Sequence, residues 1–244
     1  SSLFMGRQKV FFTLGQDEVL DKVLMKSFNS VRAGQRRGGV VPSEIQALEP
    51  LIHEMRLIKS KHEIALMRKS ANISVDAHKR VFKNCKPGVF EYQIEADIIH
   101  EFGKNGSVPA YTSIVASGEN ACTLHYISNR EKMKAGQLLL TDAGSEYEMY
   151  AADITRTIPV SGTYSKEQKE IYELVLEVQK TAIENVKPGQ TFEGLQSGAI
   201  KGLTQGLKKL GLLKGQIDQL IKSEAYKDFY RHGIGHWLGM DVHD

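Results

Sequence analysis

Apolar residues recur at helical spacing in five long stretches of this chain and crowd at strand-like density in three short ones. Val10-Phe11-Phe12-Thr13-Leu14-Gly15 reads as a strand. Val19, Leu20, Val23, Leu24 and Phe28 then mark the apolar side of a helix over residues 17–31. Residues 33–42 are rich in glycine and basic side chains and read as a loop or linker, and a domain boundary is placed near residue 52. A second helix starts at the capping box Ser60-Lys61-His62-Glu63, with Ile64, Met67, Ala71, Val75, His78 and Phe82 as its apolar face. Pro87-Gly88 ends it, and a third helix follows over 90–105 with Ile94, Ile98 and Phe102 in line. Another capping box, Ser165-Lys166-Glu167-Gln168, opens a helix carrying Ile171, Leu174, Val175, Val178 and Ala182. The last helix, 192–210, carries Leu195, Ala199, Leu203, Leu207 and Leu210.

The order of these elements repeats. A long capped helix, then Lys86-Pro87-Gly88, then a second helix matches a long capped helix, then Lys187-Pro188-Gly189, then a second helix. Pro-Gly is common turn chemistry, so one match carries little. The shared order around both points to duplication. Two such halves would pack about a pseudo-twofold axis and form a cleft where their sheets meet.

Between the two repeats lie the residues with chemistry. Leu138-Leu139-Leu140-Thr141-Asp142-Ala143-Gly144 and Ala152-Asp153-Ile154-Thr155-Arg156-Thr157 read as strands, with 145–150 turning the chain between them. A turn centred between Tyr147 and Glu148 would set Asp142 opposite Asp153, on one face of the hairpin. Two carboxylates that close repel and raise each other's pKa unless a cation lies between them. The plainer alternative is an exposed hairpin whose acids face water. Against it, ionised groups beside apolar surface need a partner.

Three of the eight histidines, His232, His236 and His243, fall in the last thirteen residues, among Gly233, Gly235 and Gly239. Those glycines argue against an ordinary helix and let backbone or ligand approach closely. Imidazole is the commonest metal ligand and exchanges protons near neutrality. A buried loop with structural histidines is the alternative reading for any one of them; three together favour a site. His125, in Thr123-Leu124-His125-Tyr126, could join them, while His53, His62, His78 and His100 read as surface or packing residues.

Composition narrows the class further. The chain has 244 residues, 41% hydrophobic and 25% charged, which allows one large or two smaller globular domains. A formal net charge of +3 with interspersed signs leaves no stripe for nucleic acid. Two distant cysteines, Cys85 and Cys122, fit a reduced, cytoplasmic protein. No apolar run approaches a membrane span. A Gly-x-Gly-x-x-Gly after a strand, which a nucleotide binder would need, is missing.

Asp-Ala-Gly-x-Glu-Tyr-x-x-Tyr-x-x-Asp-Ile-Thr-Arg-Thr at 142–157, Leu-His-Tyr at 124–126 and the histidine motif at 232–244 resemble the proline-specific aminopeptidases of the pita-bread metallopeptidase group. Residues 54–60 resemble the start of that group's catalytic domain. The resemblance implies an α+β pita-bread fold with pseudo-twofold halves over 53–244, lacking its last segment. Residues 1–52 would then be the C-terminal remnant of an α/β N-terminal domain with its linker. It implies two divalent ions, Mn²⁺ on hardness grounds, with Asp142, Asp153 and His236 as metal ligands. Two glutamates that complete such a site would lie beyond residue 244, so the 244-residue piece alone would be inactive. Hydroxide held by the metals would attack the Xaa-Pro carbonyl. His243 would donate to the scissile carbonyl oxygen, and His125 and His232 would line the proline side. The implied partners are peptides with proline at the second position, and a second copy of the chain in a homo-oligomer; no nucleic acid and no membrane. Prolidase, which takes dipeptides, and a metal-free pita-bread binding module are the competing functions.

Overall fold

The computed structural model describes residues 4–34 and 40–244 and divides into two compact units, Ser1–Lys59 and Ser60–Asp244. In the first unit, β1 (Lys9–Phe11) and β2 (Glu44–Gln46) pair in parallel, with α1 (Glu18–Gly34) between them in sequence. A parallel pair needs such a crossover. Leu24, Phe28 and Val31 form the buried side of α1, and the Phe4 and Phe28 rings lie 5.4 Å apart. The helix takes in Ala33 and Gly34 of the expected loop, and residues 35–39 of that loop lie outside the described residues. A helix that the pattern does not mark, α2 (Glu49–Leu57), has Pro50 in its first turn and spans residue 52.

The second unit opens with α3 (Lys61–Asn84), whose capping box forms as expected: Ser60 Oγ accepts from the Glu63 amide at 3.3 Å and Glu63 Oε2 from the Ser60 amide at 2.6 Å. Its buried face is Ser70, Ile73, Ser74, Ala77, His78 and Val81. This corrects the expected face, since Ile64, Val75 and Phe82 are exposed. The difference is physical: Ser70 and Ser74 are buried because Ser145 satisfies their hydroxyls.

Next come α4 (Glu91–Lys104), β3 (Val108–Pro109), β4 (Ile114–Ser117), β5 (Leu138–Asp142), β6 (Ser145–Tyr147), β7 (Tyr150–Ala151) and β8 (Thr155–Pro159). Strands β4, β5 and β8 make one antiparallel sheet; β3, β6 and β7 make a second three-stranded ladder. Ile94, Ile98 and Phe102 of α4 are fully buried, as their spacing predicts, against Val81, Val115, Leu139 and Val160. At about 25 cal/mol per Å² of apolar area, a core of this kind is the main favourable term holding helices on sheet.

The second helix pair follows: α5 (Lys166–Glu184), capped by Ser165, and α6 (Phe192–Lys209), capped by Thr191. Gly88 and Gly189 both turn with left-handed φ, +92° and +87°, which matches the repeat at the level of backbone. The two pairs differ in cover. Face α3/α4 lies under strands, whereas α5 buries no residue fully. A short α7 (Ile217–Lys222) and a 3₁₀ turn at Ala225–Asp228 lead into the histidine segment, which runs without helix or strand. No helix among the described residues is long and apolar enough to cross a membrane.

Candidate metal centre

The hairpin carrying the two aspartates turns at Glu148 and Met149, both with positive φ (51° and 69°). Two consecutive left-handed residues are what a two-residue hairpin loop needs to match the twist of its strands. Tyr147 pairs Tyr150, Glu146 pairs Ala151, and the register runs on to Asp142 opposite Thr155. The expected turn sits one position too early, and the expected facing of Asp142 and Asp153 is corrected: Asp153 falls beside Gly144. The two acids remain on one face as diagonal neighbours, within reach of a shared group.

Gly144 makes that approach possible. A Cβ there would stand 1.6 Å from the Ala152 carbonyl oxygen. On either side, the Ala152 amide donates to Ser145 O at 2.8 Å and the Ala143 amide to Ile154 O at 3.1 Å. At Gly233 and Gly235, by contrast, an added Cβ would meet nothing within 4 Å.

The Tyr111 hydroxyl reaches both carboxylates, at 2.5 Å from Asp142 Oδ1 and 2.9 Å from Asp153 Oδ1. One hydroxyl has one proton, so it satisfies one of the two at a time. Burial pushes the Asp142 carboxyl above its ordinary pKa; the Tyr111 hydrogen bond works against that shift, and the charge of Asp153 adds to it. Burial, with the charges of Asp142 and Asp153, raises the Tyr111 phenol as well. No local pattern in the sequence marks Tyr111, which lies 31 residues before Asp142.

His236 completes the cluster. Its Nδ1 lies 2.8 Å from its neighbour's carbonyl, Trp237 O, and its Nε2 lies 3.1 Å from Asp153 Oδ2. A carbonyl only accepts, so Nδ1 carries a proton. In the neutral ring, Nε2 then presents a lone pair to a carboxylate oxygen, and the two need a proton or a metal cation between them. The histidine segment is tied to the hairpin where the Ala151 amide donates to Gly239 O at 2.8 Å. The His243 ring stands edge-on to His236, centroids 4.3 Å apart.

Asp142, Asp153, His236 and His243 are therefore brought together. His125 and His232 are not: both are exposed, His125 with φ 54°, and among the described residues no hydrogen bond or ring contact joins either ring to the cluster. The donor chemistry fits a divalent cation, with half-buried carboxylates short of protons and an imidazole lone pair turned toward one of them. The donor number is short, because among the described residues no three His, Cys, Asp or Glu side chains are grouped to hold an ion.

Residues 65–244 match the profile of metallopeptidase family M24, and the chain belongs to that family. It is 42% identical to the Xaa-Pro aminopeptidase of Escherichia coli over 243 residues, 99% of this chain and 55% of that protein. The structure superposes on Pseudomonas aeruginosa aminopeptidase PepP with a TM-score of 0.97 at 48% identity, covering all of this chain and 55% of that one. A zinc-substituted E. coli aminopeptidase P in complex with product gives 0.96 at 42%, covering all of this chain and 56% of that one. The fold is thus that of the pita-bread metallopeptidases, and the chain spans about half the length of the relatives it matches.

Proposed function

We propose that the whole protein is an Xaa-Pro aminopeptidase, a metallohydrolase that releases the first residue from peptides with proline at the second position. The observation that carries this is the meeting of Asp142, Asp153 and the Nε2 of His236 around too few protons. Family membership and the names of the relatives support it. Asp142, Asp153 and His236 would hold divalent metal, two ions in all, and Tyr111 would steady both carboxylates. Oxygen-rich ligation with one imidazole favours Mn²⁺ on hardness grounds. When bound, the metal pair would lower the pKa of a water and polarise the peptide carbonyl.

His243, whose ring lies against that of His236, would give a hydrogen bond or proton to the scissile carbonyl oxygen as charge develops there. His125 and His232 would line the proline side. The protein would act in the cytoplasm as a homo-oligomer. The test is hydrolysis of Xaa-Pro-Yaa peptides by the protein in its full natural length, with and without Mn²⁺. Asp153→Ala should reduce turnover to background and remove the Mn²⁺ signal in electron paramagnetic resonance. An unchanged rate in that variant refutes the ligand assignment.

A further inference from the structure

We propose that His78 is a positioning residue of this centre: its ring ties down the Ala143 carbonyl and so fixes where Asp142 and Asp153 present their carboxylates. The proposal rests on the reading of those two acids as metal ligands. Ser70, Ser74 and His78 stand four residues apart on the buried face of α3 and form one polar stripe. All three reach the same short run of backbone. Ser70 Oγ donates to Ser145 O at 2.6 Å, Ser74 Oγ accepts from the Ser145 amide at 2.8 Å, and His78 Nε2 lies 3.2 Å from Ala143 O.

That run carries the site. Ala143 follows Asp142, and its amide donates to the carbonyl of Ile154, which follows Asp153. The imidazole therefore holds the residue next to Asp142 directly, and that residue is bonded in turn to the one next to Asp153. The ring is 4% exposed, and its Nδ1 is buried with no hydrogen-bond partner among the described residues. An orphaned buried nitrogen costs stability that a plain apolar side chain would not. Its place in the core is explained by the bond that the other nitrogen makes. The Ala143 carbonyl only accepts, so the ring proton sits on Nε2, and burial also lowers the pKa of His78.

The test compares the protein in its full natural length with its His78→Phe and His78→Gln variants. Hydrogen exchange at the Ala143 amide, exchange at the Val160 amide, which bonds Gln137 O in the same unit, and Mn²⁺ affinity by electron paramagnetic resonance are followed together. His78→Phe should speed Ala143 exchange and weaken Mn²⁺ binding by about tenfold, the usual effect of losing support behind a metal ligand, with Val160 unchanged. His78→Gln, which keeps an N–H for the carbonyl, should stay near wild type. Unchanged Ala143 exchange in His78→Phe overturns the proposal, as does an equal rise at Val160 or a fall in His78→Gln as large as in His78→Phe. Should His78→Phe fail to fold, nitrogen-15 shifts of the wild-type ring decide: a proton on Nε2 supports the tie and a proton on Nδ1 overturns it. Mn²⁺ binding that ignores Asp153→Ala would sink the ligand reading instead, leaving the Ala143 exchange result as the separate measure of what His78 holds.

Discussion

Gly144→Ala tests the register on which the centre depends. The new Cβ would stand 1.6 Å from the Ala152 oxygen and 2.4 Å from its carbonyl carbon. Carbon–oxygen contacts across a sheet sit at about 3.3–3.6 Å, so the two segments would have to part by roughly 1.7 Å. The neighbouring bonds, Ala152 N to Ser145 O and Ala143 N to Ile154 O, would stretch with them. Two hydrogen bonds at about 1 kcal/mol each, with about 1–3 kcal/mol for overpacking, give a loss of roughly 3–5 kcal/mol. That is a large share of the 5–15 kcal/mol by which a domain is usually stable, to order of magnitude. Trp237 is the single tryptophan and packs on Phe192 at 5.0 Å, so its fluorescence reports unfolding of the unit that holds the site. Urea denaturation should move its midpoint down by about 1 M or more. Gly198→Ala is the control: it is helical, meets nothing within 4 Å, and should stabilise by about 0.5–1 kcal/mol. A loss at Gly144→Ala below about 1 kcal/mol would mean that the strands do not approach as described, and the diagonal placement of the acids would go with it.

Two further outcomes follow from one half-buried and one fully buried carboxylate with opposite shifts. Asp142 has its pKa raised on folding, chiefly by burial, so its ionised form opposes folding; that penalty is full above the raised pKa and vanishes as pH falls to the unfolded value. Metal-free Asp142→Asn should therefore be more resistant to urea than wild type at pH 7, with the gap closing toward low pH; a gap that widens on acidification contradicts the assignment. Glu91 is fully buried, with Ser117 N and Oγ and Asn120 Nδ2 on one oxygen and Tyr126 OH and Glu131 N on the other. Burial pushes its pKa up, but the hydrogen bonds from Ser117 and Glu131 outweigh that and hold it low. Its contribution is present above the unfolded pKa and is lost as pH falls through the folded one. Glu91→Ala should cost about 3 kcal/mol or more at pH 7, from orphaned donors at about 1–3 kcal/mol each. Trypsin should then cut faster after Arg130, and an unchanged cleavage rate would show that Glu91 does not anchor the 118–131 segment.

What could be read from the chain, and what could not, divides by distance along it. Helix α4 buries Ile94, Ile98 and Phe102 as their spacing marks, and α6 buries Ala199, Leu203 and Leu207 while Leu195 and Leu210 at its ends are half-buried, because a continuous apolar face has one way to pack. The α3 face was displaced by serines that look solvent-facing by type, and only the arrival of Ser145, some 75 residues on, makes their burial favourable. The hairpin was visible as two strands, but its register turned on which residues accept positive φ. Glu148 and Met149 do so without the Asn or Gly that would advertise it. Helix α2, with Pro50 in its first turn, spans residue 52, and the pattern of apolar positions does not mark it. Asp142, Asp153, His236 and His243 announce their chemistry by residue type and motif. The groups that shape them do not: Tyr111 acts across 31 residues and His78 across 65. A tyrosine after a short strand and a histidine on a helix face are ordinary by themselves. They become parts of a site only once α3 is laid beneath the run from Asp142 to Ser145, and that packing is set by the shared core of Ile73, Ala77, Val81 and Leu139 rather than by any local signal. The donors of such a centre can thus be found by pattern, while the residues that hold the donors in place are found only by where the core brings them.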